Sequence, residues 1–290
     1  MKVLDRKFAT QLRAAAIGLV MAATATLATA GASATEQNPP FLALGDSVAF
    51  GFITQDGFAF INPDNFIGYA AYVGAELHLD AVNAACPGET TGSFVTGTLP
   101  DNGCRGYRSA YPLHVAYTGS QLEFATTFLK THWNTQLVTI GLGANDLFLL
   151  EAACSGDPTC IQAGLPGVIN TITLNMDTIL RSLRATGFRG VLMVVTYYSL
   201  DYTSAFDTAA ASSMNLALTT AAKTHGAVIA DVFSAFQKAA STSFAGGKTC
   251  NAGLLNVNPQ NTLLCDVHPA QSGHQLIADV VEAATGRRWP

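Results

Sequence analysis

A chain of 290 residues with 49% hydrophobic content holds enough apolar material for one large domain or two small ones. Its formal charge of −5, from 15 basic and 20 acidic residues, argues against a nucleic-acid partner, which requires clustered Lys and Arg. No fixed-period repeat, like-charge block or long linker divides it, so a single domain is expected.

Lys2, Arg6, Lys7 and Arg13 precede an Ala-rich apolar run from Ala14 to about Ala30, and Ala32-Ser33-Ala34 has the small-x-small form of a signal-peptidase site. The reading is a secretory signal peptide over residues 1–34 and one domain over 35–290, in a secreted protein with no stable membrane insertion after cleavage. A retained anchor is the alternative, disfavoured because the run is only marginally long and is rich in Ala, Thr and Gly. Cleavage removes four of the basic residues and one acidic residue, leaving a formal charge of about −8. Six cysteines in an exported chain suggest disulfides, and of the fifteen possible pairings the nearest-neighbour one is expected: Cys86–Cys104, Cys154–Cys160 and Cys250–Cys265. No Cys/His spacing of zinc-site form occurs, so no metal is expected.

In chain order, Phe41 to Leu44 is a short apolar run between Pro39-Pro40 and Gly45, which reads as a buried strand with Ser47 just past its end. Phe66 to Leu77 repeats apolar residues at helical spacing, and Asp80 to Asn83 is a weak second strand. From Cys86 to about Thr118 the Gly, Pro and Ser content predicts one long loop, of the kind that usually carries function. Gln121 to Thr131 reads as a helix. Gln136 to Gly141 is a third strand feeding a polar loop, Gly143-Ala-Asn145-Asp146. Gly164 to Gly187 is a helix, Val191 to Tyr197 a continuous apolar strand, Thr208 to His225 a helix, Ala227 to Asp231 a fifth strand, and Gln271 to about Glu282 a last helix. Strand–helix alternation of this kind implies a three-layer α/β/α fold with a five-stranded parallel sheet, its strand order left open.

Parallel strands bring the loops after their carboxyl ends to one edge, so Ser47, Gly88, Asn145 and the Asp266-Val-His268 segment can meet there. Together they supply the parts of acyl transfer. Ser47 is the candidate nucleophile and His268 the base that takes and returns its proton. The N–H groups of Ser47 and Gly88 with the Asn145 amide are candidate oxyanion donors.

Gly45-Asp-Ser47, Asn83-Ala-Ala-Cys-Pro-Gly88, Gly143-Ala-Asn145-Asp146 and His268-Pro269 resemble, in this order, the four signature blocks of the SGNH (GDSL-type) hydrolases, over nearly the whole of residues 35–290. The resemblance implies a flavodoxin-like domain, hydrolysis of lipid or other acyl esters through an acyl-enzyme, no cofactor, and the roles just given to Ser47, Gly88, Asn145 and His268. One position departs. The family usually has an aspartate three residues before the histidine, where this chain has Cys265; Asp266, two before, is the candidate third member, with a Ser–His dyad as the alternative.

Ser47 does not lie in G-x-S-x-G, and Gly141-Leu-Gly143-Ala-Asn-Asp146 does not complete a dinucleotide fingerprint. His78, His114, His132, His225 and His274 are assigned to packing or solvent, and Asp46 and Asp146 to holding their loops. Phe50, Phe52, Phe58 and Phe60 either pack the core or line an acyl-chain pocket. Each expected disulfide clips a loop bearing one catalytic part. A carbohydrate O-acetyl esterase and a catalytically idle lipid- or glycan-binding relative are the other functional readings; the expected partner is a small-molecule or lipid ester, and a monomer is expected.

Overall fold

The computed structural model describes residues 38–53, 57–98, 100–258 and 261–286; the signal-peptide expectation falls outside them. The main sheet comprises β1 (Pro40–Gly45), β2 (Asp80–Asn83), β3 (Leu137–Gly141), β4 (Val191–Val195) and β5 (Val228–Ala230). All four pairings are parallel and the order is β2-β1-β3-β4-β5. This is the flavodoxin-like order, whose topological switch point lies between β1 and β3.

Alternation along the strands divides the core in two. Leu42 and Leu44 of β1, Val138 and Ile140 of β3 and Leu192 and Val194 of β4 face α5 (Gln121–Thr131), α7 (Pro158–Ala185) and α8 (Ala205–Thr224). Phe41 and Ala43, Leu137, and Met193 and Val195 face the opposite layer of α1 (Ser47–Phe50), α2 (Tyr69–Glu76), α9 (Val232–Ala240) and α10 (Gln271–Thr285). Both faces of the central strands are therefore apolar, as a sheet covered on two sides demands.

Several elements depart from the sequence reading. The stretch expected as one long loop contains α3 (Thr91–Thr96) and α4 (Cys104–Ala110). The supposed polar loop after β3 is largely a helix, α6 (Ala144–Ala153), and α7 begins six residues earlier than expected, at Pro158. Between α9 and α10 lies an antiparallel hairpin of β6 (Leu255–Asn258) and β7 (Asn261–Pro269). The three disulfides are Cys86–Cys104, Cys154–Cys160 and Cys250–Cys265. No helix among the described residues is long and apolar enough to cross a membrane.

Candidate active site

The Ser47 turn is built from the end of β1. Gly45 has φ +141° and a Cβ there would lie 2.2 Å from the Gly141 carbonyl oxygen, so only glycine lets β1 and β3 end side by side. Asp46 caps α1, its Oδ1 accepting the Val48 N–H at 2.9 Å, and Ser47 is the first helical residue. The other carboxylate oxygen accepts the Tyr197 hydroxyl at 2.5 Å and, weakly, Asn145 Nδ2 at 3.4 Å. Burial pushes the Asp46 carboxyl up to about 6 against the lowering effect of these hydrogen bonds. Asp46 thus holds the turn. Ser47 is 9% exposed, and neither its hydroxyl nor its N–H has a partner among the described residues.

His268 and Asp266 lie on β7. Successive side chains of an extended strand point to opposite faces, so positions i and i+2 share one face. Asp266 Oδ2 accordingly meets His268 Nδ1 at 2.8 Å, while Cys265 is tied to Cys250. Oδ1 of Asp266 accepts the Val267 N–H at 2.6 Å, and the Tyr198 hydroxyl, from the loop after β4, donates to the Val267 carbonyl at 2.6 Å. The pair is thereby fixed from both sides.

Gly88, after β2, has φ +82°, and a Cβ would fall 2.4 Å from the Asn102 carbonyl oxygen. Its carbonyl accepts the Asn102 N–H at 2.8 Å, while its own N–H has no acceptor among the described residues. Asn145, in the first turn of α6, is oriented by Asn102 Nδ2, which donates to its Oδ1 at 2.8 Å. Asn145 Nδ2 donates to the Glu89 carbonyl at 3.0 Å; its second contact, the 3.4 Å one to Asp46, is weak and leaves a proton for a ligand. Asp146 binds Thr91 instead, through its N–H at 2.9 Å and its hydroxyl at 2.6 Å, so it staples α6 to α3.

Two cavities meet here. Both are lined by Ser47, Asn145, Phe148, Val267 and His268. The first runs between α6 and α8 past Leu147, Phe206, Ala211 and Met214 and is mainly apolar, with Glu151 and Asp207 also on its wall. The second runs past Pro87, Gly88, Asn102 and Tyr107, with Phe52 on its wall. Ser47 Oγ and His268 face both cavities without a hydrogen bond between them, an arrangement that a bound substrate tightens.

The aromatic segment after Ser47 does not build the apolar cavity. Phe50 is fully buried in the core, and Phe52 stacks on Phe66 and lies 4.9 Å from the His268 ring, on the second cavity. Phe60 packs between Phe52 and Tyr111, and the Phe58 side chain lies outside the described residues. The residues that sequence reasoning missed are those of α6 and α8. The only signal for them is the apolar run Leu147-Phe-Leu-Leu150 directly after Asp146. Of the other histidines, His114 bonds the Phe50 carbonyl at 3.0 Å, His132 stacks on Phe128, and His225 pairs with Asp177 at 2.7 Å. His274 is fully buried with both ring nitrogens unpartnered among the described residues, and burial pushes its pKa down to about 3.

A five-stranded parallel sheet carrying these blocks on its carboxyl edge at the switch point defines an α/β/α ester hydrolase. The chain belongs to the GDSL-like lipase/acylhydrolase family, whose model matches residues 43–276. Among solved structures it is similar to phospholipase A1 from Streptomyces albidoflavus (17% identity, 85% of this chain and 99% of that one, TM-score 0.55). It is also similar to a catalytic mutant of an acetylxylan esterase from Geobacillus stearothermophilus (15%, 87% and 95%, TM-score 0.55). A third is an alpha/beta hydrolase from the metagenome of Lake Arreo, Spain (16%, 86% and 95%, TM-score 0.52). At such identities the likeness is one of fold. No curated protein matches the sequence significantly. Family membership makes the protein a carboxylic ester hydrolase.

Proposed function

We propose that the protein is an exported serine esterase or lipase that cleaves acyl esters through an acyl-enzyme on Ser47. His268 Nε2 takes the Ser47 hydroxyl proton as Oγ bonds to the ester carbonyl carbon, and Asp266 holds the imidazole through Nδ1. The carbonyl oxygen becomes an oxyanion, received by the N–H groups of Ser47 and Gly88 and by Asn145 Nδ2. Collapse of the tetrahedral intermediate breaks the bond to the alcohol oxygen, which leaves with the proton from His268. Water then repeats the cycle and frees the acid.

The acyl chain lies in the apolar cavity between α6 and α8, and the alcohol in the second cavity. The observation that carries this reading is the junction of the two cavities at Ser47 and His268, the latter paired to Asp266 at 2.8 Å. The apolar lining favours an acyl chain longer than acetyl, nearer to a lipid ester than to the acetyl ester of a carbohydrate. Export is supported by three disulfides, which persist in oxidising compartments, and by the charge and hydropathy pattern of residues 1–34.

Hydrolysis of p-nitrophenyl acetate and p-nitrophenyl decanoate by the purified protein and its Ser47→Ala variant is the test. The parent is expected to turn over both and to favour the decanoate in kcat/KM, with a loss of about 10⁴-fold or more in the variant. Equal turnover by Ser47→Ala rules out the serine mechanism. A strong preference for acetate moves the assignment to a carbohydrate O-acetyl esterase.

A further inference from the structure

The three oxyanion donors assigned above come from three separate segments, which follow β1, β2 and β3. A hole of that kind works only if its donors keep their mutual placement to a fraction of an ångström. One buried residue links all three: it lies in the second, its main-chain carbonyl meets the third, and it reaches the first through Gln121. Glu89 follows Gly88 and is 2% exposed, and no ion pair among the described residues includes it.

Its carboxyl accepts the Ser93 hydroxyl of α3 at Oε1 and Gln121 Nε2 at Oε2, the latter at 3.3 Å. Gln121, the first residue of α5 and fully buried, then grips the end of β1 with both amide atoms. Its Oε1 accepts the Gly45 N–H at 2.7 Å, and its Nε2 donates to the Gly45 carbonyl at 3.0 Å. Gly45 stands two residues before Ser47. On the opposite side, the Glu89 main-chain carbonyl accepts Asn145 Nδ2 at 3.0 Å. A buried carboxyl without a cation is costly, and an apolar side chain would fill the volume without that cost. Hydrogen bonding to Gln121 is what an apolar residue does not provide.

We propose that Glu89, acting through Gln121, is a positioning residue for the ester hydrolysis: a buried carboxyl–amide clamp that registers the Gly88 loop against the Ser47 turn. The inference rests on the assignment of Ser47, Gly88 and Asn145 given above. Neither residue touches the reacting atoms.

The clamp also titrates. Burial pushes the Glu89 carboxyl up to about 7, opposed by the hydrogen bonds from Ser93 and Gln121; Asp101 raises it further and Arg108 lowers it. Tyr117 is the other titratable group facing it, and Arg108 is itself engaged by the Tyr117 carbonyl at 2.6 Å and the Gly119 carbonyl at 3.1 Å. Across Asn145 lies the carboxyl of Asp46. A proton on Glu89 keeps the clamp neutral; its loss places a negative charge beside the loop that must receive an oxyanion. The turnover rate therefore falls as pH rises through the titration of Glu89.

The experiment is kcat and KM for p-nitrophenyl decanoate between about pH 5 and 9 for the parent, Glu89→Gln and Glu89→Leu, with far-UV circular dichroism of each. Glu89→Leu removes the clamp and is expected to lower kcat at least about tenfold at unchanged KM. Glu89→Gln keeps an acceptor for Gln121 and an amide for Ser93 but cannot ionise. It is expected to hold kcat within about threefold of the parent at acid pH and to lose the part of the alkaline fall that Glu89 contributes. Titration of Asp46 is common to parent and Glu89→Gln, so the difference between their profiles isolates Glu89. A parent-like kcat in Glu89→Leu, or an alkaline fall in Glu89→Gln as deep as the parent's, overturns the proposal. If Glu89→Leu does not fold, the Glu89→Gln profile decides alone. A well-folded parent that turns over no ester overturns the serine-esterase reading and this inference with it; variants that match an active parent overturn this inference only.

Discussion

Asp266 and His268 are two residues apart on an extended strand, and their contact follows from that geometry alone. A spacing of three would put the two side chains on opposite faces of β7, where Cys265 instead forms its disulfide to Cys250. In the proposed mechanism Asp266 holds the imidazole through Nδ1 and stabilises the imidazolium formed when Ser47 attacks. Asp266→Asn keeps the volume and reverses the hydrogen-bonding preference at Nδ1, so kcat is expected to fall by roughly 10²–10⁴ with little change in KM. Steady-state kinetics beside Ser47→Ala provides the check. A loss of only a few fold means that Ser47 and His268 work as a dyad. Asp266 was legible in the sequence only as a candidate, because whether two or three residues is the productive spacing depends on the backbone being extended, which local composition around Cys265 does not announce.

At the scale of elements, one disulfide closes the loop bearing Gly88, and the other two adjoin the end of α6, which carries Asn145, and Asp266 on β7. Cys86 precedes Gly88 by two residues, Cys154 caps the helix that begins beside Asn145, and Cys265 adjoins Asp266. Closing a loop of about fifteen residues contributes roughly 3 kcal/mol in the chain-entropy model; Cys86 and Cys104 belong to one of the two cores, whereas the other two disulfides lie outside both. Reduction is therefore expected to abolish activity before it unfolds the sheet. Esterase rate and far-UV circular dichroism recorded together during titration with a reductant test this, and simultaneous loss of both contradicts it. The helices α3, α4 and α6 escaped the sequence reading for a related reason. The first two are short, α3 is rich in Gly, Ser and Thr, and α3 is held by the capping box of Thr90 and Ser93 and by Asp146, a contact made across 55 residues. In α6, Leu147 and Phe148 line a cavity while Leu150 lies against Gly164 of α7, so the apolar residues show no single helical stripe.

For the whole molecule, three buried groups tie stability to pH in opposite senses. Asp46 and Glu89 have carboxyls raised to about 6 and about 7, so the folded state binds their protons more tightly than the unfolded chain does. Their contribution is complete below the unfolded carboxylate values near 4 and is lost as pH rises through about 6 to 7. His274, lowered to about 3, acts the other way: its contribution is present above about 6.5 and is lost as pH falls toward 3. Two carboxyls outweigh one imidazole above pH 5, so Tm is expected to be several degrees higher at pH 5 than at pH 8 and to fall again below pH 4. Thermal unfolding across that range is the measurement. Glu89→Gln removes one of the two carboxyls, and a variant whose Tm declines from pH 5 to 8 as steeply as the parent's contradicts the assignment.

Some of this protein is determined by its sequence alone. The alternation of apolar strands and amphipathic helices specifies a parallel sheet covered on both faces, and the Gly-Asp-Ser, Pro-Gly, Gly-Ala-Asn and His-Pro blocks each announce themselves because turns after strands have local residue requirements. Which cysteines pair was open to fifteen arrangements, and the nearest-neighbour one is that of the structure. Other features exist only once the chain is folded. The strand order that puts Ser47 and Asn145 on either side of the switch point, the apolar cavity between α6 and α8 that reaches His268, and the Glu89–Gln121–Gly45 clamp all join residues from different elements. Local propensity acts over a few residues, whereas these contacts arise from packing between segments up to about two hundred positions apart, so tertiary structure decides them.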